Sequence, residues 1–229
     1  MTGSWLVERS TGSAGAFHAR LPPEPACRRV WVFRVTASAL AMGSAQPLSD
    51  IDDISAERAG IEVIRRRSGG GAVLLQPDAV AWIDVIVPRG DPLWDDDVTR
   101  SSWWLGDTWS RVVRSFGLDA RVHRGRLERA PWSERVCFAG LGSGEVSVDG
   151  QKVVGISQRR TRTQARFQCA ALLQWKPEQL VGLLRLSEAE RAQCLADVAG
   201  CAGGLVALSG PEQAASVAEV EERLLAELP

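Results

Sequence analysis

Tyrosine is absent from this 229-residue chain, and lysine, histidine and methionine occur only twice each. Two histidines are too few for a His-rich metal site. Cysteine occurs five times (27, 137, 169, 194 and 201), an odd number with no C-x-x-C pair. That pattern excludes a disulfide framework and a structural zinc site. No apolar run approaches the roughly 18 residues of a membrane span. The opening stretch, MTGSWLVERSTGS, has no basic segment followed by an apolar one, so no signal peptide is expected and a cytoplasmic location is. The net charge of −1 gives no electrostatic case for a nucleic acid or a membrane surface as partner.

What is present is an ordinary globular composition, with 45% hydrophobic and 24% charged residues. The length suits one generous domain over residues 1–229. Of 27 basic residues only Lys152 and Lys176 are lysine, so arginine fills nearly every basic position.

Val30–Val35 and Ala39–Met42 read as strands. Ser49 or Asp50 is expected to cap a short helix running to Arg58. Ile61–Arg65 is again a strand. Ala72–Leu75 and Ala79–Val87 are apolar enough for central strands. Asp95-Asp96-Asp97 is placed to open a long helix, where the dipole favours negative charge. Val98, Leu105, Trp109, Val112 and Phe116 then make one buried stripe, and Gly117 ends it. Glu145–Val148 alternates, Asp149-Gly150 reads as a primed hairpin turn, and Lys152–Arg159 leads away from it. Arg166–Trp175 is a further strand. Helical patterns follow at Glu178–Leu186, Glu188–Val198 and Glu212–Leu228. The fold class expected is α+β (α/β), with a mostly antiparallel central sheet flanked by helices.

Two segments carry chemistry. The first is Arg65-Arg66-Arg67-Ser68-Gly69-Gly70-Gly71-Ala72-Val73, between two strands. Three consecutive glycines admit positive φ and a close backbone approach to a ligand. Free N–H groups there form a concave anion site, and Arg66 and Arg67 add forked donors. The second is Glu145 through Arg159, a hairpin followed by Lys152, Gly155 and Ser157. A lysine past a hairpin is ordinarily a solvated surface residue. In a chain that otherwise uses arginine, it marks a position where a compact ammonium serves and a broad guanidinium does not.

Together these segments resemble the lipoate–protein ligase and biotin ligase superfamily, which also contains cysteine-dependent octanoyltransferases. RRRSGGGAV resembles the family's first signature, Gly43-Ser44-Ala45-Gln46 resembles the Gly-x-x-Gln stretch before it, and the second segment resembles its Lys-x-x-Gly-x-x-Gln signature. The resemblance covers about residues 40–175, with a helical C-terminal segment over about 177–229. It implies a biotin/lipoate ligase-like catalytic domain that attaches a lipoyl- or octanoyl-type acyl group to a lysine of a lipoyl-type carrier domain. In a ligase, Arg66, Arg67, Ser68, Gly69, Gly70, Gly71 and Ala72 shape an acyl-adenylate pocket and Lys152 holds the activated carbonyl. Gly155 lets the backbone pass close to the ligand and Ser157 donates to it. ATP and Mg²⁺ are then required, with Glu145 standing where many ligases have an Asp near the metal.

The same resemblance implies a second chemistry. Cys137, followed by Phe138, Glu145 and Lys152, has the layout of the octanoyltransferases, in which a thiolate takes the acyl group from acyl carrier protein without ATP. There Lys152 is the positive charge expected to favour that thiolate. Cys137 also reads as a small buried apolar residue. A third reading is a protein that binds acyl or adenylate ligands without turnover. It is motivated by departures from the family pattern: Leu74-Leu75-Gln76-Pro77 replaces a His-containing pair, Gln168-Cys169 follows Phe167 where ligases tend to have His, and His18 and His123 sit at neither place. Arg159, Arg160, Arg162 and Arg166 form a basic strip suited either to docking an acidic carrier or to a solvated strand edge. Trp103-Trp104 would either extend an acyl tunnel or cover the helix against the sheet, and reads as packing.

Overall fold

The computed structural model describes residues 4–210 and 215–229. Among the described residues ten strands build two sheets. The strands are β1 (Leu6–Gly12), β2 (Arg29–Val35), β3 (Ala39–Met42), β4 (Glu62–Arg65), β5 (Val73–Leu75), β6 (Val80–Pro88), β7 (Ala120–Val122), β8 (Val146–Val148), β9 (Gln151–Arg160) and β10 (Gln164–Leu172). The large sheet has the order β1-β2-β6-β10-β9-β8-β7, the small one β4-β3-β5. All neighbours in the large sheet are antiparallel except β1 and β2. The α+β expectation of a mostly antiparallel sheet flanked by helices therefore holds.

Strand alternation decides which face is which. Ala81, Ile83, Val85 and Val87 of β6 and Ala165, Phe167, Cys169 and Ala171 of β10 pack on one face. They meet α3 (Trp103–Arg114) and α7 (Val217–Glu227), whose Leu105, Trp109, Val220 and Leu224 are fully buried. The opposite face presents Trp82 and Leu172 to Ala41, Val73 and Leu75 of the small sheet. The site lies between these two sheets.

The helical elements on the rim are short. α1 (Ala14–Ala19) is capped by Ser13, and α2 (Asp53–Arg58) by Asp52, whose carboxylate accepts from Ser55 N. The cap expected at Ser49 or Asp50 is instead part of a 3-10 turn, Leu48–Asp50. The Asp95–Asp97 run does not open the long helix. Asp97 accepts from Thr99 N at 2.7 Å and Asp95 pairs with Arg100, folding the run into its own loop. Val98 is accordingly 57% exposed, outside the stripe, whereas Leu105, Trp109, Val112 and Phe116 are buried as expected. β5 is an edge strand of the small sheet rather than a central one, and Ala72 bridges to Val136 instead of joining it. Gly117 has φ +78, and the Asp149-Gly150 turn has φ +49 and +80, as a primed hairpin requires.

Toward the C-terminus, α4 (Pro177–Val181) stops short of Leu186, because Leu184 turns to bridge Ile51. α5 (Glu188–Val198) has the expected bounds and a capping box from Ser187 and Glu190. The short α6 (Leu205–Ser209) was not anticipated. The expected start of the last helix at Glu212 lies outside the described residues. Among the described residues no helix is long and apolar enough to cross a membrane.

Candidate active site

The glycine segment is first of all a packing device for its own chain. A Cβ on Gly43 would stand 1.7 Å from Gly70 O, and one on Gly71 would stand 2.5 Å from Val136 N. Those close approaches are to the chain's own backbone, not to a ligand. They let Ala72 N donate to Arg135 O at 2.9 Å and Cys137 N donate to Ala72 O at 3.0 Å. The result carries Cys137 beside the loop. Of the three glycines Gly70 alone has positive φ, +92, and a Cβ on it would lie 3.5 Å from Cys137 Sγ. Gln46 ties the arrangement together, its side chain reaching Gly43 N and Arg135 O, both at 3.4 Å.

A cavity of about 760 Å³ opens between the sheets, within the size range of about 300–1,000 Å³ usual for small-molecule sites. Arg66, Gly69, Gly70, Cys137, Glu145, Lys152, Gly155 and Ser157 all line it. Four residues expected at the site do not. Arg67 is exposed outside the cavity lining, Ser68 is buried and accepts from Arg66, Gly71 is pressed on Val136, and Ala72 is fully buried. The physical reason is the same throughout: the loop turns at Gly70, so that only Arg66, Gly69 and Gly70 face inward.

Lys152 is 3% exposed, so the hairpin does not present it to solvent. Its ammonium lies 2.7 Å from Glu145 Oε2 and donates to Gly140 O at 3.0 Å and Cys137 O at 3.3 Å. An ammonium has three N–H bonds, and each has a partner. The Phe138 ring lies 4.8 Å from Nζ, below the same cation. Glu145 is equally engaged: Oε2 also accepts from Gly142 N at 2.5 Å, and Oε1 accepts from Ile156 N at 3.0 Å. A carboxylate so occupied does not fit the role of a magnesium ligand. Among the described residues, moreover, no group of three or more His, Cys, Asp or Glu side chains could hold a metal ion. The Mg²⁺ expected beside Glu145 is not supported by this donor set, and no step is derived through it.

The cation nearest the thiol is Arg66 rather than Lys152. Arg66 Nη2 donates to Cys137 Sγ at 3.3 Å and to Gly71 O at 2.9 Å, and Nη1 donates to Ser68 Oγ at 3.0 Å. Its Nε is buried without a partner. Cys137 opens a 3-10 turn, Cys137–Ala139, and is half-buried in the cavity wall. Cys27 also accepts from an arginine, Arg29 Nη2 at 3.4 Å, but it lies outside the cavity lining. Cys169 is 1% exposed, and burial pushes its thiol strongly up.

Several cavity residues were not placed at the site by the sequence reading, Gln168, Trp82 and His18 among them. Gln168 and Trp82 lie on the cavity faces of β10 and β6, and His18 reaches in from α1. His18 was read as out of place in sequence, yet its Nδ1 lies 3.3 Å from Gln168 Nε2 and its ring 4.5 Å from that of Trp82. Burial, with Arg166 and then Arg66 nearby, pulls the His18 imidazole down to about 3, so it is neutral at neutral pH. The alternation of Gln168 and Ala170 against Phe167 and Cys169 could have found the first. Only the tertiary fold brings in His18. Of the basic strip, Arg166 is buried on Asp84 at 2.5 Å, Arg160 holds the carbonyls of Asp95 and Asp96, and Arg159 and Arg162 are exposed. Trp104 packs on Phe167, as expected, and does not line the cavity.

The fold has close counterparts. The chain aligns over 99% of its length with a bipartite lipoate protein ligase from Thermoplasma acidophilum, solved with its E2 lipoyl domain (TM-score 0.73, 17% identity, 82% of that chain). It aligns equally far with lipoate-protein ligase A bound with ATP (TM-score 0.68, 15% identity, 84% of that chain). Nearer in sequence is the octanoyltransferase LipM of Kyrpidia tusciae, 34% identical over 140 residues, which are 59% of this chain and 50% of the relative. A second LipM, from an Exiguobacterium species, is 32% identical over 117 residues, 48% of this chain and 41% of the relative. The chain thus spans about half the length, or less, of the curated relatives it matches. The lipoyl protein ligase A/B catalytic domain matches residues 18–229, well beyond the stretch that the motifs alone delimit. With nearly the whole chain covered by that match and the fold shared with lipoate ligases, the protein belongs to the lipoyl protein ligase A/B catalytic-domain family, a family of enzymes.

Proposed function

We propose that the protein is a cysteine-dependent acyltransferase that carries an octanoyl-type group on Cys137 and passes it to a lysine of a lipoyl-type carrier domain. The observation that carries this reading is the placement of Cys137 Sγ in the cavity wall, 3.3 Å from Arg66 Nη2 and beside the Gly70 turn. The similarity to LipM octanoyltransferases supports it.

The chemistry is a thioester exchange followed by aminolysis of the new thioester. The Cys137 thiolate attacks the carbonyl carbon of an acyl thioester on a carrier protein, and Arg66 is the donor facing that sulfur. The new C–S bond forms as the donor's C–S bond breaks, and the departing thiolate takes up a proton. In the second half, the neutral amine of the acceptor lysine attacks the Cys137 thioester. An amide forms, the amine proton is lost, and Cys137 Sγ leaves. The sum is thioester plus amine giving amide plus thiol, so no nucleotide is consumed. In both halves negative charge develops on the acyl oxygen, and a preorganised donor stabilises it most in a dry site. Lys152 supplies it by exchanging its longest contact, the 3.3 Å one to Cys137 O, for that oxygen.

Intact mass of an apo lipoyl carrier domain tests this. One reaction holds octanoyl-acyl carrier protein without ATP, the other octanoic or lipoic acid with ATP and Mg²⁺. Modification in the first, lost in Cys137→Ser, is the expected result. Modification in the second alone, unaffected by Cys137→Ser, would make the protein a ligase with Cys137 as filler.

A further inference from the structure

The chain just before Cys137 adopts a conformation that it would not keep by itself. Trp132 has φ +68. A bulky side chain disfavours that left-handed region, so the backbone stays there only where surrounding contacts fix it. The turn it makes is tight: Trp132 O accepts from Arg135 N at 2.8 Å and from Val136 N at 2.7 Å. That turn presents Arg135 O to Ala72 N and Cys137 N to Ala72 O, the two bonds that set Cys137 against the glycine loop and its Sγ against Arg66.

The polar contact that fixes Trp132 comes from the C-terminal segment. Its indole Nε1 donates to Asp197 Oδ2 of α5 at 2.8 Å, 65 residues further along the chain. Asp197 Oδ1 accepts from Gln193 Nε2 at 2.9 Å, so the carboxylate is held from its other side as well. The chain that follows reaches the rest of the site. Cys201 O accepts from Lys152 N at 2.9 Å and Lys152 O accepts from Gly203 N at 3.1 Å, a parallel bridge between Lys152 and Ala202. Trp175 Nε1 donates to Val198 O at 3.3 Å, and its ring lies 6.2 Å from that of Phe138, below the Lys152 ammonium. One short stretch, Asp197 to Gly203, therefore backs both the turn before the thiol and the backbone of the lysine.

We infer that Asp197 is a positioning residue: through the Trp132 indole it holds Cys137 in register with Lys152, so that the sulfur and the oxyanion donor address the same acyl carbon. Asp197 is not part of the cavity lining, so its effect reaches the reaction only through the turn. Reacting atoms must be held about 3–3.5 Å apart, and a misplacement of about 1 Å lowers the rate by about a hundred-fold. The kinetic role rests on the acyltransferase reading, in which Cys137 is the nucleophile; the anchoring of the turn does not.

Acyl-enzyme formation from octanoyl-acyl carrier protein is followed by intact mass, in single turnover, for the wild type, Asp197→Ala, Asp197→Asn and Trp132→Phe. Ala removes the acceptor and Phe the donor of the one hydrogen bond, whereas Asn keeps an oxygen for the indole N–H. The limiting acylation rate should fall about ten- to a hundred-fold in Asp197→Ala and Trp132→Phe, with the half-saturating donor concentration within about two-fold of wild type. Asp197→Asn should restore most of that rate. Thermal melts establish that each variant is folded, and the bond is cut from either side so that one misfolded variant leaves the other to decide. A folded Asp197→Ala acylating at the wild-type rate, an equal loss in Asp197→Asn, or a change confined to the half-saturating concentration would overturn the inference. If the wild type forms no acyl-enzyme, the acyltransferase reading fails instead. The anchoring is then judged by amide hydrogen exchange over Arg135 to Cys137. Faster exchange in Asp197→Ala and Trp132→Phe, reversed in Asp197→Asn, upholds it; unchanged exchange refutes it.

Discussion

Replacing Glu145 by Leu should destabilise the protein more than its size suggests, because of what it leaves behind. Glu145 and Lys152 are 6% and 3% exposed, and their charged atoms are 2.7 Å apart. Removing one partner of such a buried pair leaves the other charge without its counter-ion, which costs about 3–5 kcal/mol. For a chain of this length each kcal/mol moves the melting temperature by about 2–4 °C, so Glu145→Leu should melt about 6–20 °C lower. Lys152→Met should cost a similar amount, since it leaves the Glu145 carboxylate with two backbone N–H partners and no cation. The double variant has no stranded charge and should recover part of the loss. Urea unfolding of the four proteins gives the coupling directly. A coupling of about 1.5–3 kcal/mol is expected for groups in contact, whereas independent sites add to within about 0.5 kcal/mol. Additivity within that margin, or single variants each costing less than about 1 kcal/mol, would refute the view that this pair is a mutually dependent buried unit.

His18 gives a pH signature. Its folded pKa of about 3 lies below the unfolded value of 6.5, so its contribution to stability is full above pH 6.5 and is lost as pH falls toward 3. His18→Gln should flatten the decline in urea midpoint between pH 7 and 5; an unchanged slope would count against the burial of a neutral imidazole. Gly43→Ala forces a methyl onto Gly70 O, 1.7 Å from where its Cβ must go, and should lower the melting temperature and abolish acyl-enzyme formation together. Retention of both would mean that the glycine loop tolerates displacement. Asp84→Ala leaves Arg166 buried without its carboxylate and should cost about 3–5 kcal/mol, read from urea unfolding. Lys152→Arg should lower the acylation rate at least about a hundred-fold, the loss typical of a removed oxyanion donor; near-normal acylation would show that any cation suffices there.

The strands of the core were legible because burial on both faces writes itself as long apolar runs. β6 reads VAWIDVIVP, and all but its last residue are buried. The hairpin at Asp149-Gly150 was legible because only a primed turn uses that pair between alternating residues. β1 and α1 were missed for the opposite reason. β1 is an edge strand with no buried residue, paired in parallel to a strand beginning 23 positions later, and nothing local specifies that contact. With them went His18, one wall of the cavity. The Asp95–Asp97 run misled because short acidic side chains satisfy neighbouring backbone N–H groups as readily as they complement a helix dipole. Both site segments were found, but by resemblance. The spacing of Arg66, Cys137 and Lys152 in sequence does not reveal that Arg66, not Lys152, meets the sulfur.

The choice of lysine at position 152 has a structural explanation. Lys152 Nζ sits among three acceptors that come from different directions: the Glu145 carboxylate, Gly140 O and Cys137 O. Three N–H bonds on one tetrahedral nitrogen can satisfy such a set, whereas the planar fork of a guanidinium directs its donors into one plane and needs more room. Arg66 faces the complementary situation. Its partners, Ser68 Oγ, Gly71 O and Cys137 Sγ, are reached by two different nitrogens of one fork. The two cations therefore divide the work by shape. The fork spans the turn and reaches the sulfur, while the point charge lies buried beneath the carbonyl of the same cysteine. Cys137, the nucleophile of the proposed reaction, thus has a donor on its sulfur side and another on its carbonyl side, the arrangement that charge moving from sulfur to an acyl oxygen would require.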